Sequence, residues 1–165
     1  MLLQQFNDSD TAQLHAALRP CIDIQRWIDE ITAARPYNTL SQLFSCAWAA
    51  ATPFTTTEIA AAMAHHPRIG ERAEGNSAEA ALSRKEQSGV DQGNTALTKA
   101  LADANRAYEE KFGQVFLIRA AGRTPEDILA ALERRLANTS EQEAPIVAQQ
   151  LREIAVLRLK GVMSE

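Results

Sequence analysis

Aromatic residues make up only 5% of this 165-residue sequence, and it holds just 7 glycines and 6 prolines. Alanine fills much of the apolar share instead. Because alanine is the best helix former and a weak strand residue, this composition favours closely packed helices over a sheet. Cysteine is almost missing. Cys21 and Cys46 have no metal-ligand spacing and allow at most one bridge, which reads as two buried thiols in a reducing compartment. Charge is also unconcentrated: the formal net charge is −4, and Lys and Arg are scattered among acids. Without a basic stripe interleaved with aromatics, nucleic acid is not an expected partner. No apolar run approaches a membrane span. The stretch from Met1 to Asp8 lacks the basic and apolar regions of a signal peptide, and Met163-Ser164-Glu165 is not a peroxisomal address. The expectation is a cytoplasmic protein with no membrane partner. A Gly-rich phosphate loop and a Gly-x-Ser-x-Gly elbow are lacking too, which sets aside the enzyme classes that depend on them.

What the chain does have is a series of helical segments with clear punctuation, long enough in total to bury one core. Asp8 or Ser9 can cap a first helix ending near Arg19-Pro20. A second runs from about Ile22 to Ala34 and a third from Thr39 to Ala51. Thr55 with Glu58 forms a capping box for a fourth, which must end before Pro67. Ser77 opens a fifth through Gln87. The sixth, from about Gln92 to Lys111, carries Leu97, Leu101, Ala104 and Tyr108 at steps of three and four. Val115 to Ile118 is the one strand-like run, read as a buried extended connection. Thr124-Pro125-Glu126-Asp127 opens a seventh helix, and Ser140 with Glu143 opens the last, which reaches about Leu159. The expectation is a single compact all-α domain of about eight helices over residues 1–165.

The residues able to carry chemistry cluster around His65-His66-Pro67-Arg68-Ile69-Gly70 and Ser83-Arg84-Lys85-Glu86-Gln87. Pro67 turns the chain at His66, so that imidazole sits at a corner between elements and titrates near neutrality. It suits either an acid/base role or a plain helix C-terminus stabilised by the helix dipole. Ser83, Glu86 and Gln87 share one side of a helix, as a site or as a solvated face. The face of Ala78, Ala81, Leu82 and Lys85 is the more obvious buried stripe. Val147, Leu151, Ile154 and Arg158 step along the last helix by four, three and four, so an arginine continues an apolar stripe. It either snorkels off the helix end or holds an anion such as a carboxylate. Asn105 interrupts the stripe of the long helix and is expected to tie it to a loop near the site. Adjacent histidines make a poor chelate, so no metal site is expected.

In order and spacing, these segments resemble the 2-oxo-4-hydroxy-4-carboxy-5-ureidoimidazoline (OHCU) decarboxylase family. The resemblance is carried by His66-Pro67-Arg68-Ile69-Gly70, Ser83/Glu86/Gln87, Asn105-x-x-Tyr108-x-x-Lys111-Phe112-Gly113, Phe116-Leu117-Ile118 with Gly122-Arg123, and Ile154 to Leu159. It runs from about Phe6 to Leu159. It implies an all-α fold, a homodimer, no metal or organic cofactor, and decarboxylation of OHCU to (S)-allantoin in urate catabolism. By carry-over His66 is the catalytic histidine and Glu86 joins it. Pro67, Ser83 and Gln87 line the pocket, the backbone of Phe116, Leu117 and Ile118 hydrogen-bonds the substrate amides, and Arg158 holds substrate. Arg68 receives no role. The competing expectation is a non-catalytic helical module binding a ureide or a protein partner.

Overall fold

The computed structural model describes residues 1–64, 66–69, 78–89 and 95–164. Its described regular structure is helical: α1 (Leu3–Asp8), α2 (Thr11–Leu18), α3 (Gln25–Ala33), α4 (Leu40–Ala50), α5 (Thr56–Met63), α6 (Ala78–Glu86), α7 (Thr95–Phe112), α8 (Pro125–Leu136) and α9 (Ser140–Met163), with a short 3₁₀ turn at Gln87–Gly89. The all-α expectation holds. The sequence reading missed α1, and Asp8 and Ser9 belong to that helix and its end. The cap of α2 is Asp10, whose carboxylate accepts from the Gln13 N–H. The second expected helix starts late, because Ile22 and Ile24 are buried in the approach to it and α3 begins at Gln25. The expected starts at Ser77 and Gln92 lie outside the described residues.

The residues form two compact units, Met1–Ala62 with Arg152–Glu165, and Met63–Leu151. In the first, α2, α3 and α4 pack together around Leu14, Leu18, Trp27, Ile28, Ile31, Leu43 and Ala47, all fully buried. Trp27 is a core residue with a polar edge, and its Nε1 donates to the Ala47 carbonyl at 2.9 Å. Thr55 and Glu58 exchange backbone and side-chain hydrogen bonds as the capping box predicts. Arg26 closes bidentately on the same Glu58, at 2.8 and 3.0 Å.

In the second unit α7 packs on α8. Leu101, Tyr108, Phe116, Ile118, Ile128, Ala131 and Leu132 form its core. Gly113 ends α7 at φ +73°, a left-handed conformation that costs glycine nothing. Thr124 caps α8, with Pro125 at its first position. The start of α9 corrects another expectation. Thr139 and Gln142 form its capping box, so Ser140 is already helical and Glu143 is released for a different task.

Candidate active site

His66 follows α5 by a turn, its N–H donating to the Met63 carbonyl at 3.2 Å. The residue is half-buried, and its Nε2 atom is itself buried. Immediately after it, the chain is fastened to α7 at two points. Asn105 Nδ2 donates to the Ile69 carbonyl at 2.8 Å, a buried bond that fulfils the expectation for this interrupting Asn. Arg68 meets Glu109 through Nε–Oε1 at 2.5 Å and Nη2–Oε2 at 3.1 Å. The residue the sequence reading left without a role therefore closes a fork on the long helix, two positions from the histidine. Pro67 is half-buried between them. His65 and Gly70 lie outside the described residues.

On α6 the structure overturns the expected buried stripe. Ala80 and Ser83 face inward, while Ala78, Ala81 and Lys85 are exposed and Leu82 is only half-buried. The inward face is thus small and partly polar. Ser83 is buried on it, and Glu86 and Gln87, at the end of α6 and in the following turn, are half-buried. A solvated face would not hide the serine, so the burial of Ser83 excludes bland exposure for that residue.

The run Phe116-Leu117-Ile118 is buried as expected, and it has no regular secondary structure. Its peptide groups explain its interest. The Leu117 carbonyl accepts from Arg135 Nη1 at 2.8 Å. Among the described residues, no partner takes the backbone N–H groups of Phe116, Leu117 or Ile118, or the carbonyls of Phe116 and Ile118. Buried peptide groups are almost always paired, so a buried row of unclaimed donors and acceptors suits a ligand rich in amides.

Behind this run stands a network that sequence reasoning missed. Arg135 Nε meets Glu143 Oε1; the same carboxylate accepts from the Tyr108 hydroxyl at 3.0 Å and from Asn138 Nδ2 at 3.1 Å. Burial, and then the adjacent Glu143 charge, push the Tyr108 phenol well above its ordinary pKa. A signal was present. Arg135 continues the apolar positions Ile128, Ala131 and Leu132, and Glu143 sits four before Val147 on the stripe that exposed Arg158 to notice.

Arg158 itself lies in the first unit. It is only 3% exposed, which rules out snorkelling to solvent, and its Nη1 donates to the carbonyls of Pro20 and Cys21 at 3.2 and 3.4 Å. Of the cysteines, Cys21 is buried and Cys46 partly so, and neither forms a disulfide. A cavity of about 480 Å³ in the second unit is lined by Arg68, Ile69, Leu101, Asn105 and Glu109, among others, and by none of the expected site residues. No group of three or more His, Cys, Asp or Glu among the described residues is arranged to hold a metal ion.

The family model of OHCU decarboxylase matches residues 7–160. The chain belongs to that family. Its relatives include the 2-oxo-4-hydroxy-4-carboxy-5-ureidoimidazoline decarboxylase of Haloferax volcanii, 26% identical over 160 residues, spanning 96% of this chain and 94% of the relative. A uric acid degradation bifunctional protein of Bacillus sp. TB-90 is 24% identical over the whole chain, which spans 33% of that longer protein. The fold matches that of a crystallised OHCU decarboxylase, determined in the presence of (S)-allantoin, with a TM-score of 0.69 at 24% identity. That match covers 91% of this chain and 99% of the other.

Proposed function

We propose that this member of the OHCU decarboxylase family removes CO₂ from OHCU without a cofactor and delivers (S)-allantoin, late in urate degradation. The observation that carries the reading is the family match over residues 7–160, which encloses every residue assigned to the site. The unclaimed peptide groups at Phe116–Ile118 support it from the side of binding, since a ureido-imidazoline presents several N–H and C=O groups to pair with them.

The chemistry follows from the substrate. Its carboxylate is attached to a carbon that bears a hydroxyl and adjoins a C=N bond. When the carbon–carboxylate bond breaks, its electron pair forms a C=C bond, and the former C=N π electrons move to nitrogen, which takes a proton. The resulting enol loses its hydroxyl proton and gains one at the carbon bearing the ureido group. Substrate supplies its own electron sink. In this scheme His66 takes the hydroxyl proton. Glu86, with Gln87 and Ser83, orients the substrate nitrogens, and Pro67 shapes the wall. The backbone of Phe116, Leu117 and Ile118 holds the ureide amides. Arg158 holds a substrate carboxylate, which suits its fork. Residues 1–165 act as one domain, in the cytoplasm and as a homodimer; light scattering of the purified chain is then expected to give twice 18.1 kDa.

The test generates OHCU from urate with uricase and hydroxyisourate hydrolase, adds this protein, and follows the circular dichroism of the allantoin formed. Unaided decarboxylation protonates both faces and gives a racemate. A fast, protein-dependent signal of one hand supports the reading. A slow rise to optically silent product, equal to the blank, would overturn it in favour of a binding module.

A further inference from the structure

We infer that Arg135 is a positioning residue for catalysis: it holds the Phe116–Ile118 backbone in the shape that receives substrate. The inference rests on the functional reading above. Three contacts carry it. The guanidinium lies over the Phe116 ring, 4.4 Å from its centroid, and 5.9 Å from that of Tyr108. Its Nη1 donates to the Leu117 carbonyl at 2.8 Å. Its Nε is anchored on Glu143, which is itself held by Tyr108 and Asn138. One side chain therefore grips the ring of one residue and the carbonyl of the next. No helical ladder fixes this run, and the next hold along it is the Arg119 N–H on Gln150 Oε1 at 2.9 Å.

Stability alone does not call for this arrangement. A buried ion pair is often no better for folding than apolar side chains of the same volume, and Ile128, Ala131 and Leu132 already supply such a surface. What a planar, rigid fork adds is geometry. Peptide donors and acceptors that are already ordered bind without a further entropy cost, whereas a loose segment must be ordered by the ligand. The peptide groups touch the substrate before and during the reaction, so loosening them raises KM and leaves kcat nearly unchanged.

The decisive variant is Arg135→Lys, which keeps the charge for Glu143 but lacks the fork. Should it fold poorly, Arg135→Met with Glu143→Gln removes the ion pair and keeps one amide oxygen as the acceptor for Tyr108. Trp27→Phe, which loses the Nε1 bond to Ala47 in the first unit, serves as the control for general destabilisation. The expected result is a KM raised about tenfold with kcat within about twofold for either Arg135 variant, and a wild-type KM for Trp27→Phe. A KM within twofold of wild type in the folded Arg135 variant would overturn the positioning role alone. So would a fall in kcat that only tracks the unfolded fraction. A wild-type chain with no turnover would overturn the functional reading, and the positioning role with it.

Discussion

In the proposed reaction, the usefulness of His66 depends on its attachments. Pro67 denies it a helical continuation, Ile69 is tied to Asn105, and Arg68 is clasped by Glu109. The imidazole is thereby presented from a short segment tied to α7, which suits the proton transfer proposed for it. His66→Gln keeps size and polarity but cannot titrate. We expect kcat to fall about 10²- to 10³-fold, with a smaller change in KM, and the limb of the pH–rate profile near neutrality to disappear. An unchanged profile in that variant would remove His66 from acid/base duty. Breaking the clasp without touching the imidazole, by Glu109→Gln, is expected to lower kcat about threefold to tenfold while the same limb persists. Steady-state kinetics across pH separate the two outcomes. The His-Pro pair could be read directly from sequence, because a proline at that position dictates the local backbone. Arg68 could not. Its partner is Glu109, far along the chain, and nothing local distinguishes it from a solvated arginine.

The helices differ in how openly the sequence declares them. Those with a cap and a stripe were legible: Thr55 with Glu58 at the start of α5, Thr124 with Pro125 at the start of α8, and the long stripe of α7. Helix α6 was legible as a helix ending near Gln87, but the face it buries was not, because alanines occupy both its faces and hydrophobic periodicity then has nothing to separate. Its inward face is Ala80 and Ser83, small side chains rather than apolar bulk. Helix α1 was missed for its length, being 6 residues with no side-chain cap at Leu2. The clearest local device, the α5 cap, also predicts a pH effect. Glu58 accepts from Arg26, whose guanidinium holds that carboxyl below its ordinary value of 4.5, helped by the Thr55 bonds. A lowered folded-state pKa contributes stability above the unfolded value, and the contribution is lost as pH falls through the folded one. Glu58→Gln is therefore expected to cost about 1 kcal/mol at pH 7, a modest figure because Arg26 is partly exposed. The gap between variant and wild type should close in acid below the ordinary value. Urea unfolding at both pH values would check it, and a gap that persists in acid would mean the cap, not the charge, is responsible.

Across the molecule, the two tyrosines report on the interior of each unit, and the sequence contains no others. Tyr37 sits in the first unit, its hydroxyl donating to the Ile31 carbonyl at 2.6 Å, with Cys46 Sγ at 3.3 Å. Tyr108 sits in the second, donating to Glu143. Burial is the main cause that pushes both phenols far above the ordinary value of 10.0, aided by Cys46 in one case and the Glu143 charge in the other. In the unfolded chain both regain that ordinary value. A folded-state pKa raised in this way means that the associated stability is fully present below pH 10 and drains away as pH rises beyond it, because only the unfolded chain can release those protons. A spectrophotometric titration should accordingly show no tyrosinate in the folded protein at the ordinary phenol pKa. The absorbance of both phenolates should instead appear together with the loss of helical circular dichroism. Tyr108→Phe should halve the amplitude. A gradual rise near pH 10 with the helical signal intact would show that one of these hydroxyls is open to solvent. If that hydroxyl belonged to Tyr108, the buried network behind Phe116–Ile118 would lose the dry surroundings that its positioning role depends on.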